Sequence, residues 1–236
     1  MKALVFDFDG TIIDSEQAIY DSWQAVFQEH GAHLSVETWL PLIGTFEIPF
    51  DPILHLEEQL GRSVDREAVD QKQRELEKKL VGKLAAMPGV EAYIREAKDA
   101  GLKLAVASSS SSRWVKGHLD RLGLLESFPI IVTREMVEKT KPDPALFRHA
   151  VELLQVEPGD AIAIEDSLHG VVAAKGAGLW ALAVPGGLTR GLDFSLADLR
   201  VESLADLSLV DLLSYARKTS KAYGSGYGQG LPSSSK

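Results

Sequence analysis

The apolar run from Leu4 to Phe8 is interrupted only by Asp7 and passes straight into Gly10-Thr11, so it reads as a buried strand ending in a tight turn. A lone strand has no partner for its backbone, and no strand-like run is convincing between residues 15 and 84. Its neighbours must therefore come from far along the chain. After Met87-Pro88-Gly89, strand patterns at Leu102 to Ala107, Ile130 to Thr133, Ala161 to Ile164 and Leu179 to Val184 alternate with helical patterns at Val90 to Ala100, Arg113 to Leu122, Pro144 to Leu154 and Gly170 to Ala177. Such alternation argues for right-handed βαβ units and a parallel sheet. The expected fold is α/β: a Rossmann-like parallel core in two sequence pieces, residues 1–14 and 85–216, interrupted by a helical cap over residues 15–84.

In the cap, Ala18, Ile19, Trp23, Val26 and Phe27 recur at helical spacing from Ser15 to Glu29, and Gly31 closes the segment. Further helices are expected from Pro52 to Leu60 and from Arg66 to Leu80. The last is so charged that it reads as a solvated surface helix. A helix from Asp206 to about Lys218 is expected to close the folded part, with a disordered tail over residues 217–236. Four Gly, four Ser and one Pro among the thirteen residues from Gly224 onward cannot form a packed element.

Composition narrows the function classes. The 236 residues hold no Cys, which excludes disulfides, thiolate metal sites and cysteine nucleophiles. With 25 Lys+Arg against 34 Asp+Glu, the net charge of -9 argues against non-specific binding to nucleic acid or anionic membrane. No apolar run approaches the ~20 residues of a membrane span. The N-terminal segment reaches Asp7 too soon for a signal-peptide apolar region, so the expected compartment is the cytoplasm. No helical zipper pattern chooses between monomer and dimer.

Four features fall at the C-terminal ends of expected parallel strands, the edge where open α/β sheets bind ligands. In Asp7-Phe8-Asp9-Gly10-Thr11, side chains at i and i+2 share a side, so Asp7 and Asp9 can face one site. Carboxylates that close disfavour double ionisation unless a hard cation relieves them. Ser108 to Ser112 follow a buried strand; they form either an oxyanion or phosphate cradle or a polar loop, with Ser111 and Ser112 as helix caps. Pro142 and Pro144 stiffen the backbone around Lys141, so its ammonium is held near a fixed position. Glu165-Asp166-Ser167 places adjacent carboxylates at a buried strand end, which is costly without a cation or donors.

Asp-x-Asp-Gly-Thr, a strand-end Ser, Lys-Pro and Glu-Asp-Ser, in that order across residues 4 to 190, resemble the four motifs of the haloacid dehalogenase-like hydrolase superfamily. The helical insert after the first motif is similar to the small cap of the phosphoglycolate phosphatase and β-phosphoglucomutase subgroup. The resemblance implies Asp7 as nucleophile and Asp9 as general acid and base. Ser108, the Ser109 backbone N–H and Lys141 would hold the phosphoryl oxygens. Mg²⁺ would sit on the Asp7 carboxylate, the Asp9 backbone carbonyl and Asp166, with Glu165 left open between ligand and outer-sphere acceptor. The expected partner is a small phosphorylated metabolite.

Asp9 speaks against a dehalogenase, because a halide leaving group needs no proton. Mutases of the β-phosphoglucomutase type, the nearest rival, place a His where this chain has Ile19, and an Arg shortly after a cap Gly where Gly44-Thr45-Phe46-Glu47 has Glu47. A carboxylate there would repel a bisphosphate, which favours hydrolysis. Trp23, Thr45, Phe46, Glu47 and Phe50 are the cap residues expected near the substrate, with Trp23 and Phe50 equally suited to the cap core. A protein that binds phosphometabolites without catalysis would be expected to lose Asp7, Asp9, Lys141 or Asp166, and all four are present.

Overall fold

The computed structural model describes residues 1–45 and 47–224, with side chains to residue 219. Its strands are β1 (Ala3–Phe6), β2 (Lys103–Ala107), β3 (Ile130–Val132), β4 (Ala161–Glu165), β5 (Trp180–Ala183) and β6 (Leu199–Arg200). They form one parallel sheet in the order β3-β2-β1-β4-β5-β6. The partners of the first strand do come from far along the chain: Val5 lies between Ala105 and Ala163. The short edge strand β6 carries no sequence signal, since two residues are too few to show a period.

Side-chain alternation divides the sheet into two unlike faces. Leu4, Phe6, Leu104, Val106, Ile162, Ile164 and Leu182 point to one side. There they meet α5 (Val90–Asp99), α6 (Ser112–Arg121) and α9 (Leu209–Gly224) through residues such as Ile94, Leu119 and Leu212. The other side carries Ala3, Val5, Ala105, Ala107, Ala161, Ala163, Ala181 and Ala183. Those small residues leave room for the larger side chains of α7 (Ala145–Leu154), Leu146 and Phe147 among them, and for α8 (Leu168–Gly176).

Residues 15–81 build α1 (Ser15–Glu29), α2 (Val36–Trp39), α3 (Pro52–Leu60) and α4 (Arg66–Val81) around a separate apolar cluster that includes Trp23, Phe27, Trp39 and Leu56. Asp51 and Asp65 cap α3 and α4 by accepting from backbone N–H groups of their first turns. The charged helix α4 is less solvated than its composition implies. Val69, Gln73 and Val81 are buried, and Gln73 Nε2 donates to Ser22 Oγ of α1 at 3.0 Å.

One expectation is corrected at the C-terminus. Residues 217–224 continue α9 rather than joining a disordered tail, while residues 225–236 lie outside the described residues. The extension has a packing cause: Trp180 of β5 meets the Tyr215 ring edge-on at 6.2 Å, and its Nε1 donates to Thr219 Oγ1 at 3.1 Å.

Phe6 is fully buried at the centre of the sheet and sits edge-on against Phe128 at 5.7 Å. Phe6→Ala is expected to cost about 3–5 kcal/mol through lost burial and the cavity left behind, read as a lowered urea midpoint with an unchanged slope.

Candidate active site

The site grows from the central pair β1 and β4. The Asp7 N–H extends the ladder by donating to Ile164 O at 2.9 Å, which sets the Asp7 side chain beside Glu165 and Asp166 at the end of β4. The chain then folds around Asp166. Gly10 adopts a φ of +83°, and a Cβ there would lie 2.0 Å from Asp166 Oδ2, so only glycine serves. Thr11 Oγ1 donates to Asp166 Oδ1 at 3.3 Å.

Lys141, preceding a cis peptide bond to Pro142, enters this cluster from the segment before α7. Its ammonium donates to Asp7 Oδ1 and, at 2.5 Å, to Glu165 Oε1, and it is only 1% exposed. Ser167 Oγ donates to the other oxygen of Glu165 at 3.2 Å. Burial works against the Lys141 charge, but the adjoining Asp7 and Glu165 carboxylates outweigh it and raise its pKa. Asp7 is pushed up to about 8 by burial and by the Glu165 charge, with Lys141 pulling the other way. Burial and the charges of Asp7 and Glu165 likewise raise Asp166.

Oxygens of Asp7, Glu165 and Asp166 lie within 4.8 Å of one another, and all three residues are buried. One ammonium among three buried carboxyl groups leaves a deficit of positive charge, which the raised pKa values of Asp7 and Asp166 record. A hard divalent cation with oxygen ligands answers that deficit, so the donor set fits Mg²⁺.

The Asp9 carboxylate lies outside this cluster and is held by the serine loop and two helices. Ser15 Oγ donates to Oδ1 at 2.6 Å, Trp114 Nε1 to the same oxygen at 2.8 Å, and Ser110 Oγ to Oδ2 at 2.5 Å. Ser108 is buried and its Oγ accepts from the Ser110 N–H at 3.0 Å. The Ser109 hydroxyl donates to Gly44 O at 3.0 Å and so faces the cap. Ser111 caps α6 by accepting from the Trp114 N–H, as expected. Ser112 does not cap; it is the first residue of α6, and its N–H points to the Glu135 carboxylate.

Between these groups and the cap lies a cavity of about 410 Å³ whose walls include Asp7, Asp9, Ser108, Ser109 and Ser110. From the cap, Ile19, Thr45 and Phe50 line it, together with Glu16 and Trp39, to which nothing in the sequence analysis pointed. The position of Glu16, in the first turn of the helix that follows the first motif, is the signal that could have found it. Ser15, Ser110 and Trp114 were also missed. Their contacts to Asp9 span up to 105 positions and leave no trace in local spacing.

Trp23 takes the cap-core place, one of the two open to it. One cap residue departs from expectation. Glu47 does not face the cavity as a repulsive group: its Oε1 accepts from the Thr140 N–H at 2.9 Å and from Thr140 Oγ1 at 3.0 Å, which docks the cap beside Lys141. Phe46 lies outside the described residues. His169 Nδ1 donates to Ile43 O at 3.0 Å, a further bond between core and cap.

The raised Asp7 pKa gives cation binding a defined pH dependence. Below about 8 the carboxyl holds a proton that an entering cation must displace, and above it the carboxylate is ready. Thermal stabilisation by millimolar Mg²⁺ should therefore grow as pH rises from about 6 to 9, read by differential scanning fluorimetry at matched ionic strength.

The haloacid dehalogenase-like hydrolase family is matched over residues 4–184. YhcW of Bacillus subtilis, named as a candidate phosphatase, is 44% identical over 215 residues, covering 91% of this chain and 97% of that one. A β-phosphoglucomutase of the same organism is 31% identical over 216 residues, covering 89% and 92%. Crystal structures of CbbY from Rhodobacter sphaeroides, with phosphate and with xylulose-1,5-bisphosphate, superpose with a TM-score of 0.72 at 32% identity, covering 90% of this chain and 99% of theirs. Together with the parallel sheet and its acidic edge, these likenesses establish that the chain belongs to the haloacid dehalogenase-like hydrolase family.

Proposed function

We propose that the protein is a Mg²⁺-dependent phosphatase that hydrolyses a small phosphorylated metabolite through an aspartyl-phosphate on Asp7. One observation carries the proposal: a buried Asp7 carboxylate, ion-paired to Lys141, opens onto a cavity that Asp9 and the serine loop also line. In the first step an Asp7 oxygen attacks phosphorus in line, and the bond from phosphorus to the leaving oxygen breaks. Asp9 gives that oxygen its proton. Asp9 then takes a proton from water, whose oxygen attacks the acyl phosphate, releasing inorganic phosphate and restoring Asp7. The three donors around Asp9 keep its carboxyl aimed through both transfers.

Lys141, the Ser108 hydroxyl and the Ser109 N–H would stabilise charge on the phosphoryl oxygens. Mg²⁺, held by Asp7, Asp166 and the Asp9 carbonyl, would screen the nucleophile from its anionic target. Glu165 is assigned to holding Lys141, because its oxygens already meet Lys141 and Ser167. Relatives support a phosphorylated carbohydrate or organic-acid ester as the substrate range: CbbY was solved with phosphate and with a sugar bisphosphate.

A mutase would run the same first half-reaction and return the phosphoryl group to the sugar. The likeness to a β-phosphoglucomutase favours that reading. Ile19 opposes it, because the cavity wall there offers no imidazole for proton transfer. Incubation with β-glucose 1-phosphate and a catalytic amount of bisphosphate decides between them: phosphate release without glucose 6-phosphate is expected, and efficient conversion would overturn hydrolysis.

Asp7→Asn is expected to lower Mg²⁺-dependent release of phosphate from p-nitrophenyl phosphate by about 10³-fold or more, since an amide is a poor nucleophile. Substantial residual turnover would remove Asp7 from its role. Asp9→Asn should slow both proton transfers and accumulate phosphorylated protein, detectable by intact mass.

A further inference from the structure

The cavity is divided by chemistry. The core supplies every group assigned to the phosphoryl transfer, and the cap supplies surface for the remainder of the substrate. That surface is apolar: Ile19, Trp39, Leu42, Ile48, Pro49 and Phe50 line it. No described lining residue is a Lys, Arg or His. A second phosphate or a carboxylate on the leaving group would enter without a partner, and burying an unpaired charge is strongly unfavourable. Lys141 is not available to it, being enclosed by Asp7 and Glu165.

The titratable group outside the phosphoryl machinery on this wall has the wrong sign for an anion. Glu16 lines the cavity, and burial together with the nearby Asp9 and Asp7 charges pushes its carboxyl up to about 8, while the Gly44 N–H pulls it down. Neither protonation state of Glu16 supplies a positive charge, so the wall lacks a cation in both.

Trp39 and Phe50 give that wall its aromatic surface, their rings packed edge-on at 6.3 Å.

We infer that the leaving group of the natural substrate carries no second anion: it is an uncharged sugar or alcohol that lays an apolar face on Trp39 and Phe50. The exclusion follows from the want of a Lys, Arg or His among the described lining residues. The inference rests on the phosphatase reading for the place of the phosphoryl group, and it selects sugar phosphates over organic-acid phosphates and bisphosphates.

Matched pairs test it: phenyl phosphate against its para-carboxylate, and glucose 6-phosphate against 6-phosphogluconate. The para-carboxylate does not slow departure of the phenolate, so a preference for phenyl phosphate reports recognition. The uncharged member of each pair is expected to have at least about tenfold higher kcat/KM. Equal or higher values for the anionic members overturn the inference while leaving a phosphatase. In Ile19→Lys, which puts a cation on the wall, the ratio within each pair should fall severalfold toward one. Ratios come from a single preparation, so loss of folded protein cancels, and an unchanged ratio removes the missing cation as the cause. Trp39→Ala should raise KM for glucose 6-phosphate severalfold with a smaller change in kcat; an unchanged KM removes the apolar face from the role. Dissociation constants on Asp7→Asn protein with Mg²⁺ repeat the pairwise comparison without turnover. Absence of hydrolysis in the wild type, with tighter binding of the uncharged members, would discard the phosphatase and keep the inference.

Discussion

An ammonium shut away from water is stable only when carboxylates meet it, and Lys141 between Asp7 and Glu165 is the contact on which the rest of the site depends. It ties three distant parts of the chain to one point: the end of β1, the end of β4 and the proline-stiffened segment before α7. The surrounding backbone is shaped to keep those carboxylates in place. Gly10 gives Asp166 its space, and a Cβ on Gly170 would lie 1.9 Å from Glu165 Oε2, so α8 can start beside the cluster only with hydrogen at that position. Even so, one ammonium cannot balance three carboxyl groups if all of them ionise. That shortfall is why the donor set suits a divalent cation.

The cap meets this charged floor through a short stretch of main chain. Gly44, with a φ of +81°, passes so close to Ser167 that a Cβ would lie 2.3 Å from its hydroxyl oxygen. Ser109 and His169 donate to carbonyls on either side of that passage, and Glu47 accepts from Thr140 just ahead of Lys141. The cap is thus held by hydrogen bonds to the loops that carry the candidate site residues, so its position and the geometry of those residues depend on the same contacts.

Much of this was legible because the core is regular. The apolar strands β1, β2 and β4 run straight into polar residues, and Asp7, Ser108, Ser109 and Asp166 sit one or two residues past those ends. What escaped is non-local. Trp114 reaches Asp9 from the first turn of α6, and its indole reads in the sequence as an ordinary amphipathic residue. Glu47 was placed correctly near the entrance, but its charge was assigned to the substrate when it serves Thr140; nothing in a five-residue turn tells which way a carboxylate swings. The end of α9 was misplaced because low complexity from Gly224 onward hid the hold that Trp180 takes on Thr219.

The central place of β1 has a consequence for how such a protein comes into being. Its flanking strands lie at residues 103–107 and 161–165, so Asp7 is synthesised long before the carboxyl groups that come to stand beside it. Until β4 arrives, Asp7 has neither Glu165 nor Asp166 beside it, and the strand presents a bare apolar edge. Assembly is therefore late and long-range, which makes folding slower than helix content alone would give. It also means that the cluster of Asp7, Glu165 and Asp166 exists only once β4 has joined the sheet.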